Sequence, residues 1–249
     1  MIIDIVTLFP EMFTGPLDES IVKRARQQGL VEIRLHDLRD WTRDKHRKAD
    51  DEMFGGGAGL VLKPEPLFHC HDELLARARA HRPEAPKPLV VLTSPQGRLL
   101  TQALARRLAV GAGHLVVFCG HYKGVDERFV EACVDLELSI GDYVLSGGEL
   151  PAMVLVDALV RLLPGAIGSA ESAQSDSLED GLLDTAVYTR PAEFRGRAVP
   201  EVLLSGHHER IETWRREQRL ERTRRKRPDL LEQRDEPRGP HDKNNEDEG

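Results

Sequence analysis

Short apolar runs rich in Val, Ile and Leu alternate along the chain with longer segments in which apolar residues recur at helical spacing. Such alternation is typical of a mainly parallel β-sheet covered by helices, because its buried strands are apolar on both faces whereas each helix is apolar on one. The runs predict strands at residues 2–8, 31–35, 89–92, 115–119 and 136–140. Helices are predicted near residues 17–28, 64–80, 101–110 and 125–132, and over the apolar segment 150–163. The sequence therefore predicts an α/β fold.

The periodic pattern ends after Pro164 and Gly165. Residues 166–181 are poor in apolar side chains and rich in Ser, Asp and Glu, which predicts an interdomain linker. Farther on, Pro200 is expected to open one helix, and an arginine-rich helix is predicted over residues 207–226. We therefore divide the chain into an α/β domain at 1–165, the linker at 166–181, a small all-helical domain at 182–234 and a disordered acidic tail at 235–249.

Composition narrows the class of protein. Hydrophobic residues make up 40% of the 249 residues, enough for one core of ordinary size and a smaller second unit. The longest apolar stretch, residues 152–163, is interrupted by Asp157 and Arg161 and is shorter than the about 20 residues needed to cross a bilayer. The first ten residues, MIIDIVTLFP, have neither the basic region nor the cleavage site of a signal peptide. These features predict a cytoplasmic protein.

The three cysteines, Cys70, Cys119 and Cys133, form no CxxC pair and are expected to be reduced thiols of the core. His69 and His71 flank Cys70, but alternate residues of a helix point to different faces. A metal site at this position is therefore disfavoured.

Charge is distributed unevenly along the chain, whose net charge is −7. Residues 205–228 carry nine Lys and Arg against four Glu, whereas residues 229–249 carry three basic and eight acidic residues. The basic segment coincides with the predicted arginine-rich helix, which suits contact with phosphate groups. A solvated helix with Glu and Arg one turn apart is the alternative interpretation of the same residues.

Glycine-rich segments mark the candidate site. The sequence IGDYVLSGGE, residues 140–149, places three glycines between a predicted strand and the apolar helix, where a backbone without Cβ can approach a ligand closely. A second run, MFGGGAGL at residues 53–60, follows the charged segment 37–52, and we interpret both as a mobile polar loop. Neither run contains the dinucleotide fingerprint GxGxxG, and Lys63 does not stand in the GK[ST] order of a P-loop. A dehydrogenase and a P-loop hydrolase are therefore disfavoured.

Six segments in order resemble the bacterial tRNA (guanine-N1)-methyltransferase family, which modifies the guanine at position 37 of tRNA. They are LFPEMF at 8–13, GGGAG at 55–59, SPQGR at 94–98, CGHYKGVDER at 119–128, SIGDYVLSGGELPAMVL at 139–155 and LLSGHHERIETWR at 203–215. The resemblance implies a SPOUT-like fold, in which the C-terminal part of the α/β domain forms a deep trefoil knot. Such knots are rare among protein folds.

The resemblance also implies that S-adenosylmethionine binds in three loops of the knot, with Tyr122 and Tyr143 packed against adenosine. The residues carried over as cofactor-binding are Leu92, Ser94, Pro95, Gly97, Gly120, Tyr122, Gly124, Ile140, Gly141, Asp142, Tyr143, Val144, Leu145, Gly147 and Gly148.

Two residues match the family's catalytic positions. Asp176 aligns with the aspartate that removes the N1 proton of the guanine, and Arg161 aligns with the arginine that stabilises the developing negative charge. From the sequence alone, Glu179 and Asp180 are rivals for the role of base, and Arg161 could instead pair with Asp157 one helical turn earlier.

The family implies that tRNA is the partner and that the enzyme is a homodimer whose active site is shared between protomers. The candidate RNA-binding residues are Gly57, Gly59, Arg215, Arg216, Arg219, Arg222, Arg224 and Arg225. Trp214 lies among these arginines and could pack or stack on a base.

The chain departs from the family pattern at three places. His121 and Lys123 stand where Arg and Glu are common, residues 185–187 replace Cys-Pro-His, and Met53-Phe54 replace Pro-Tyr. Magnesium is a possible further cofactor in the family, and Lys123 argues against it because the glutamate that could place the ion is missing.

Two alternative functions remain open from the sequence. One is a knotted methyltransferase that acts on another RNA position, and the other is an RNA-binding protein that has lost catalysis. The linker motif argues against the first alternative. Retention of both Asp176 and Arg161 argues against the second.

Overall fold

The computed structural model describes residues 1–168 and 177–235 of the chain. It divides into two compact units, Met1–Ala170 and Glu171–Gly249. Residues 169–176 of the predicted linker and 236–249 of the predicted tail lie outside the described residues.

The first unit is built on a parallel sheet that contains the five strands predicted from the apolar runs. Its elements in chain order are β1 (Ile2–Thr7), α1 (Ser20–Gln27), β2 (Glu32–Asp37), β3 (Asp50–Glu52), β4 (Leu60–Leu62), α2 (Pro64–His81), β5 (Leu89–Leu99), α3 (Gln102–Gly111), β6 (His114–Cys119), α4 (Glu127–Cys133), β7 (Leu136–Ser139) and α5 (Glu149–Val160). The strands of the central sheet lie in the order β2-β1-β6-β5-β7. The mainly parallel α/β prediction is therefore confirmed.

Both faces of this sheet are covered. On one face α1, α3 and α5 pack over a core that includes Val117 and Leu155, and on the other α2 and α4 pack over a core that includes Val116 and Phe118. The neighbours Val116 and Val117 are both fully buried, because successive residues of a strand point to opposite faces. Burial on both faces explains why the strands are continuous apolar runs.

The charged segment and glycine run that we interpreted as one mobile loop contain a short hairpin, so that interpretation is wrong here. Strands β3 and β4 pair antiparallel, with Asp50 opposite Leu62. The hairpin is joined to the chain after β6 by backbone bonds: Leu62 N donates to Gly124 O at 3.1 Å, and Lys123 N donates to Leu60 O at 3.0 Å. Strands of three residues, one of them entirely acidic, leave no apolar alternation from which a hairpin could be predicted.

A buried carboxylate links three strands of the sheet. Asp4 on β1 is 2% exposed and accepts hydrogen bonds from Nε2 of His36 on β2 at 2.7 Å and from Nε2 of His114 on β6 at 2.6 Å. Burial alone would raise the pKa of Asp4, but the hydrogen bonds from His114 and His36 outweigh burial and hold that pKa well below its usual value. The ionised carboxylate therefore stabilises the pairing of β1 with both neighbours.

The second unit contains β8 (Glu193–Phe194), β9 (Arg197–Ala198), α6 (Glu201–Leu204), α7 (His208–Lys226) and α8 (Asp229–Asp235). Because β8 and β9 form a small antiparallel hairpin, the prediction of an all-helical unit is wrong in this detail. Thr223 on α7 is fully buried, and its hydroxyl accepts a hydrogen bond from the Leu183 amide at 2.9 Å. This contact fastens the chain that precedes β8 to α7.

The cysteine prediction is confirmed, since Cys70, Cys119 and Cys133 are all buried and unpaired. Burial raises the pKa of the Cys70 and Cys119 thiols, which keeps them protonated. None of the helices in residues 1–168 and 177–235 has the length and apolar character needed to span a membrane.

Candidate active site

Three loops meet at one edge of the sheet and enclose a pocket, called here the three-loop pocket. The first is residues 94–97, an excursion within β5 across which pairing with β7 shifts between Thr93 and Arg98. The second, residues 120–124, follows β6, and the third, residues 140–148, follows β7. Strands β6, β5 and β7 are parallel neighbours, so the loops that leave their carboxyl ends converge.

Most of the residues predicted to bind a cofactor line this pocket. They are Leu92, Ser94, Pro95, Gly120, Tyr122, Gly124, Ile140, Gly141, Tyr143, Val144, Leu145, Gly147 and Gly148. Sequence reasoning missed Glu127 on α4 and Glu137 on β7, which also line it. Glu127 lies in the motif CGHYKGVDER, but nothing in that motif marks it as a pocket residue. Glu137 reaches the pocket only through the pairing of β7 with β5.

Two of the predicted residues, Gly97 and Asp142, do not line the pocket. A Cβ on Gly97 would lie 2.3 Å from the backbone nitrogen of Leu138, so glycine is needed there for the approach of β7. Asp142, in the third loop, is exposed. These two residues therefore lie outside the pocket lining, and their part in cofactor binding stays a prediction.

The second and third loops meet the strand that leads into the first loop at Gly148. Its amide donates to Gly120 O at 2.6 Å, and its carbonyl oxygen accepts from Thr93 Oγ1 at 3.2 Å. A Cβ at Gly148 would lie 2.1 Å from Thr93 Oγ1 and 2.7 Å from the Gly120 nitrogen. Only glycine fits at this crossing, which holds the loops at a fixed separation.

Two tyrosines that we expected to pack against adenosine stand at the pocket with anchored hydroxyl groups. Tyr143 is 54% exposed, and its hydroxyl donates to Ile140 O at 3.1 Å, which folds the third loop onto itself. Tyr122 is 46% exposed and has a left-handed backbone with φ 59°. Partial burial raises the pKa of Tyr122, and so do the charge of the Asp50 carboxylate and the hydrogen bond between them. Tyr122 thus connects the second loop to β3.

The structure does not place the predicted catalytic residues at the pocket. Arg161 follows α5 at its C-terminal end, whereas the pocket lies at the N-terminal end of that helix. It comes 13 residues after Gly148, which is roughly 20 Å along the helix. Arg161 does not line the three-loop pocket of its own chain. Asp176 lies outside the described residues.

Asp180, a rival to Asp176 as base, is engaged elsewhere. Its carboxylate accepts a hydrogen bond from Arg219 Nη2 at 2.5 Å. Partial burial would raise the pKa of Asp180, but the hydrogen bond and charge of Arg219 outweigh it and lower that pKa. A carboxylate held ionised by a cation is a weaker proton acceptor, which argues against Asp180 as the base.

The predicted RNA-binding glycines lie on the β3–β4 hairpin. Gly57 and Gly59 have positive φ angles of 119° and 110°, which other residues rarely adopt. The stem of Lys123 lies over Gly59, since a Cβ there would be 2.8 Å from Lys123 Cγ. Neither glycine lines the three-loop pocket, but Lys123 does, so the hairpin borders it. Phe54, beside these glycines, is fully exposed.

The six predicted RNA-binding arginines of α7 fall into two groups. Arg215, Arg216, Arg224 and Arg225 are exposed. Arg219 and Arg222 are partly buried, and Arg219 pairs with Asp180. A surface groove of the second unit is lined in part by Val187, Trp214, Arg215 and Arg216. The groove thus places two exposed arginines beside the ring of Trp214, a combination that suits contact with RNA.

Comparison with known proteins gives one consistent result. Residues 1–233 match the model of the family described as tRNA (Guanine-1)-methyltransferase TrmD. The chain is 56% identical over 231 residues to the tRNA (guanine-N(1)-)-methyltransferase of Moorella thermoacetica, covering 93% of this chain and 90% of that protein. It is 57% identical over 229 residues to the protein of the same name from Chloroflexus aurantiacus, covering 92% and 87%.

Proposed function

Because the chain belongs to the tRNA (guanine-1)-methyltransferase family, we propose that it transfers a methyl group from S-adenosylmethionine to N1 of the guanine at position 37 of tRNA. The observation that carries the proposal is the three-loop pocket. Its walls are the loops that were predicted to bind the donor, and the family match covers residues 1–233. The reaction takes place in the cytoplasm in this proposal.

The three-loop pocket suits S-adenosylmethionine. The glycines that line the pocket present backbone without a Cβ, which a nucleoside can approach closely, and Tyr122 and Tyr143 supply aromatic surface at its wall. The close packing of Gly148 against Gly120 also supports a trefoil knot, in which the chain after β7 passes against the loop after β6. When bound, the donor supplies a methyl group on a positively charged sulfur. The pocket residues hold that group at a fixed place for in-line attack.

Two side chains complete the chemistry in this proposal. N1 of guanine carries a proton at neutral pH, and Asp176 accepts that proton as general base. Negative charge then develops toward the exocyclic oxygen of the base, and Arg161 stabilises it. The engagement of Asp180 by Arg219 favours Asp176 over this one of its two rivals. Lys123 lines the pocket where a family glutamate is common, so we expect no requirement for magnesium at this position.

The position of Arg161 supports our proposal of a homodimer with shared active sites. The pocket and Arg161 lie at opposite ends of α5, so Arg161 serves the pocket of a partner subunit in our proposal. An exposed stripe on α5 supports such pairing, because Leu150 is 48% exposed and Val154, one turn later, is 45% exposed. Association would remove these apolar side chains from water.

The tRNA is held, in this proposal, by the exposed arginines of α7 and by the β3–β4 hairpin. Arg215, Arg216, Arg224 and Arg225 provide charge for phosphates. Gly57 and Gly59 allow the hairpin backbone to approach a base closely.

One assay tests the proposed reaction. Purified protein is incubated with radiolabelled S-adenosylmethionine and with tRNA transcripts that carry guanine or adenine at position 37. We expect label only in the guanine transcript, at N1, and a loss of kcat of at least about 100-fold in Asp176→Asn. Asp180→Asn is the matched control and is expected to lower kcat only a few-fold. Equal labelling of both transcripts contradicts the proposal.

A further inference from the structure

A buried carboxylate lies beneath the three-loop pocket without lining it. Glu149, the first residue of α5, is 1% exposed. Neither the sequence motifs nor the proposed chemistry gives it a role. A carboxylate withdrawn from water is costly unless it is hydrogen-bonded or paired. The partners of its two carboxylate oxygens therefore indicate the role of Glu149.

One oxygen of Glu149 is fully engaged with the end of β1. Its Oε1 accepts a hydrogen bond from Thr7 Oγ1 at 2.7 Å, and Thr7 Oγ1 in turn accepts from the Phe9 amide at 2.9 Å. The position of Glu149 in the first turn of α5 also favours negative charge, because the amides of a helix N-terminus point toward it. These contacts hold the N-terminus of α5 against the chain that follows β1.

The other oxygen faces the second pocket loop. Glu149 Oε2 lies 3.9 Å from Nδ1 of His121, a buried atom that has no hydrogen-bond partner among the residues that the structure describes. The His121 ring is held by Phe9 and Tyr122, with ring centroids 5.0 and 4.6 Å away. A shift of about 1 Å would convert this gap into a charge-assisted hydrogen bond.

The third loop passes directly across this gap. Gly147 forms an isolated backbone bridge with His121. A Cβ on Gly147 would lie 2.3 Å from Glu149 Oε2 and 2.5 Å from His121 Nδ1, so the backbone is seated on both polar groups. The end of β1 and the second and third loops thus converge on one carboxylate.

We propose that Glu149 is a positioning residue for the methyl donor: its carboxylate holds the second and third pocket loops against the end of β1, through His121 and Thr7. The inference rests on the proposed function, since it takes the three-loop pocket as the donor site. It assigns His121, which replaces the arginine common in the family, a partner within the fold. Filling of the pocket closes the Glu149–His121 gap in this account, so part of the donor affinity comes from that contact.

The test measures donor affinity of the full-length protein by isothermal titration with S-adenosylmethionine. Glu149→Gln keeps the shape of the side chain and an oxygen that can accept from Thr7, but removes the charge that faces His121. We expect the donor Kd to rise about tenfold, the typical effect of losing a hydrogen bond to a charged group. The KM for the donor should rise with little change in kcat, and the Kd for tRNA should stay within about twofold. Glu84→Gln, at an exposed position away from the pocket, is the matched control and should leave donor Kd unchanged.

Two further comparisons distinguish a positioning role of Glu149 from a general effect on the stability of the fold. His121→Phe keeps the ring packing and is expected to weaken donor binding about as much as Glu149→Gln, and the double variant should be no weaker than either single one. Thr7→Val should also weaken donor binding. Thr7→Ser keeps the hydroxyl and should therefore bind the donor nearly as tightly as wild type.

The outcomes distinguish the two proposals. Wild-type protein that binds the donor while Glu149→Gln binds it equally well overturns the positioning role, as does a double variant whose losses multiply to about a hundredfold. A lower melting temperature with unchanged donor Kd, measured where all variants are folded, overturns it too. Wild-type protein that binds no donor overturns the proposed function and this inference with it.

Discussion

Single residues decide whether polar groups can exist inside the sheet of this protein. Asp4 is tolerated in the core because two imidazole groups from neighbouring strands donate to its oxygens. At the pocket the deciding property is the absence of a side chain, since Gly148 occupies a place where a Cβ would overlap Thr93. In both cases the residue type follows from a contact made by a distant part of the chain.

The Asp4 contact predicts a pH-dependent contribution to stability. Because the folded pKa of Asp4 lies below its value in the unfolded chain, the stabilisation is complete above the unfolded value of 3.8 and is lost as the pH falls below it. We expect Asp4→Asn to lower the free energy of unfolding by about 2–3 kcal/mol at pH 5. The difference from wild type should narrow at pH 3, as followed by denaturant unfolding with circular dichroism. A difference that is the same at both pH values would contradict this role.

At the scale of single residues, the sequence predicts the loops of the pocket but not the role of each residue in them. The glycine motifs identified the loops of the pocket, since glycine is conspicuous wherever backbones must approach closely. They could not separate Gly97, which faces β7, from glycines that face the pocket, because both have the same chemical reason to lack a Cβ. Glu149 was passed over because nothing in the sequence shows that Thr7, 142 residues away, is its neighbour.

At the scale of elements, apolar periodicity predicted the sheet strands and the helices that cover them, because burial on two faces or on one leaves a pattern within a few residues. The strand order β2-β1-β6-β5-β7 cannot be predicted from such local patterns, because it depends on pairing between strands that are far apart in sequence. The β3–β4 hairpin was missed for a related reason: its strands are held by bonds to residues 123–126. Helix α7 was predicted within one residue of its start, but the pairing of Arg219 with Asp180, 39 residues away, leaves no local pattern.

The two groups of arginines on α7 should respond differently to substitution. Replacing exposed Arg224 and Arg225 by Gln should reduce the slope of log Kd for tRNA against log salt by roughly two, because each lost phosphate contact removes about one. Fluorescence anisotropy over a series of salt concentrations measures this slope. The matched control replaces Arg79 and Arg82, exposed in the first unit, by Gln and should leave the slope unchanged.

Arg219→Gln is expected to act mainly on stability. It removes the partner of Asp180 and should lower the melting temperature of the protein while changing the salt slope less than the exposed pair does. If replacing Arg224 and Arg225 leaves the slope of log Kd against log salt unchanged, these two arginines do not contact phosphates.

At the scale of the whole molecule, the separation of Arg161 from the pocket requires two chains to build one active site in our proposal. Subunit mixing tests this requirement. Ser94→Trp, which fills the pocket, and Asp176→Ala, which removes the proposed base, are each expected to inactivate a homodimer. A heterodimer of the two, purified through different tags, contains one intact composite site and should show about half of the wild-type activity. Activity no greater than that of either homodimer would count against shared sites.

The crossing at Gly148 also bears on how the protein is made. Thr93, Gly120 and Gly148 come together only after every strand of the central sheet has left the ribosome, and the Thr7–Glu149 bond closes a span of 142 residues. Contacts of such long range are slow to form, because a large loop must be ordered before any contact rewards it. A nascent chain that ends before Gly148 therefore contains all five strands of the central sheet but lacks the residue at which the pocket loops cross. In our proposal, the donor site is therefore completed late in the synthesis of the first unit.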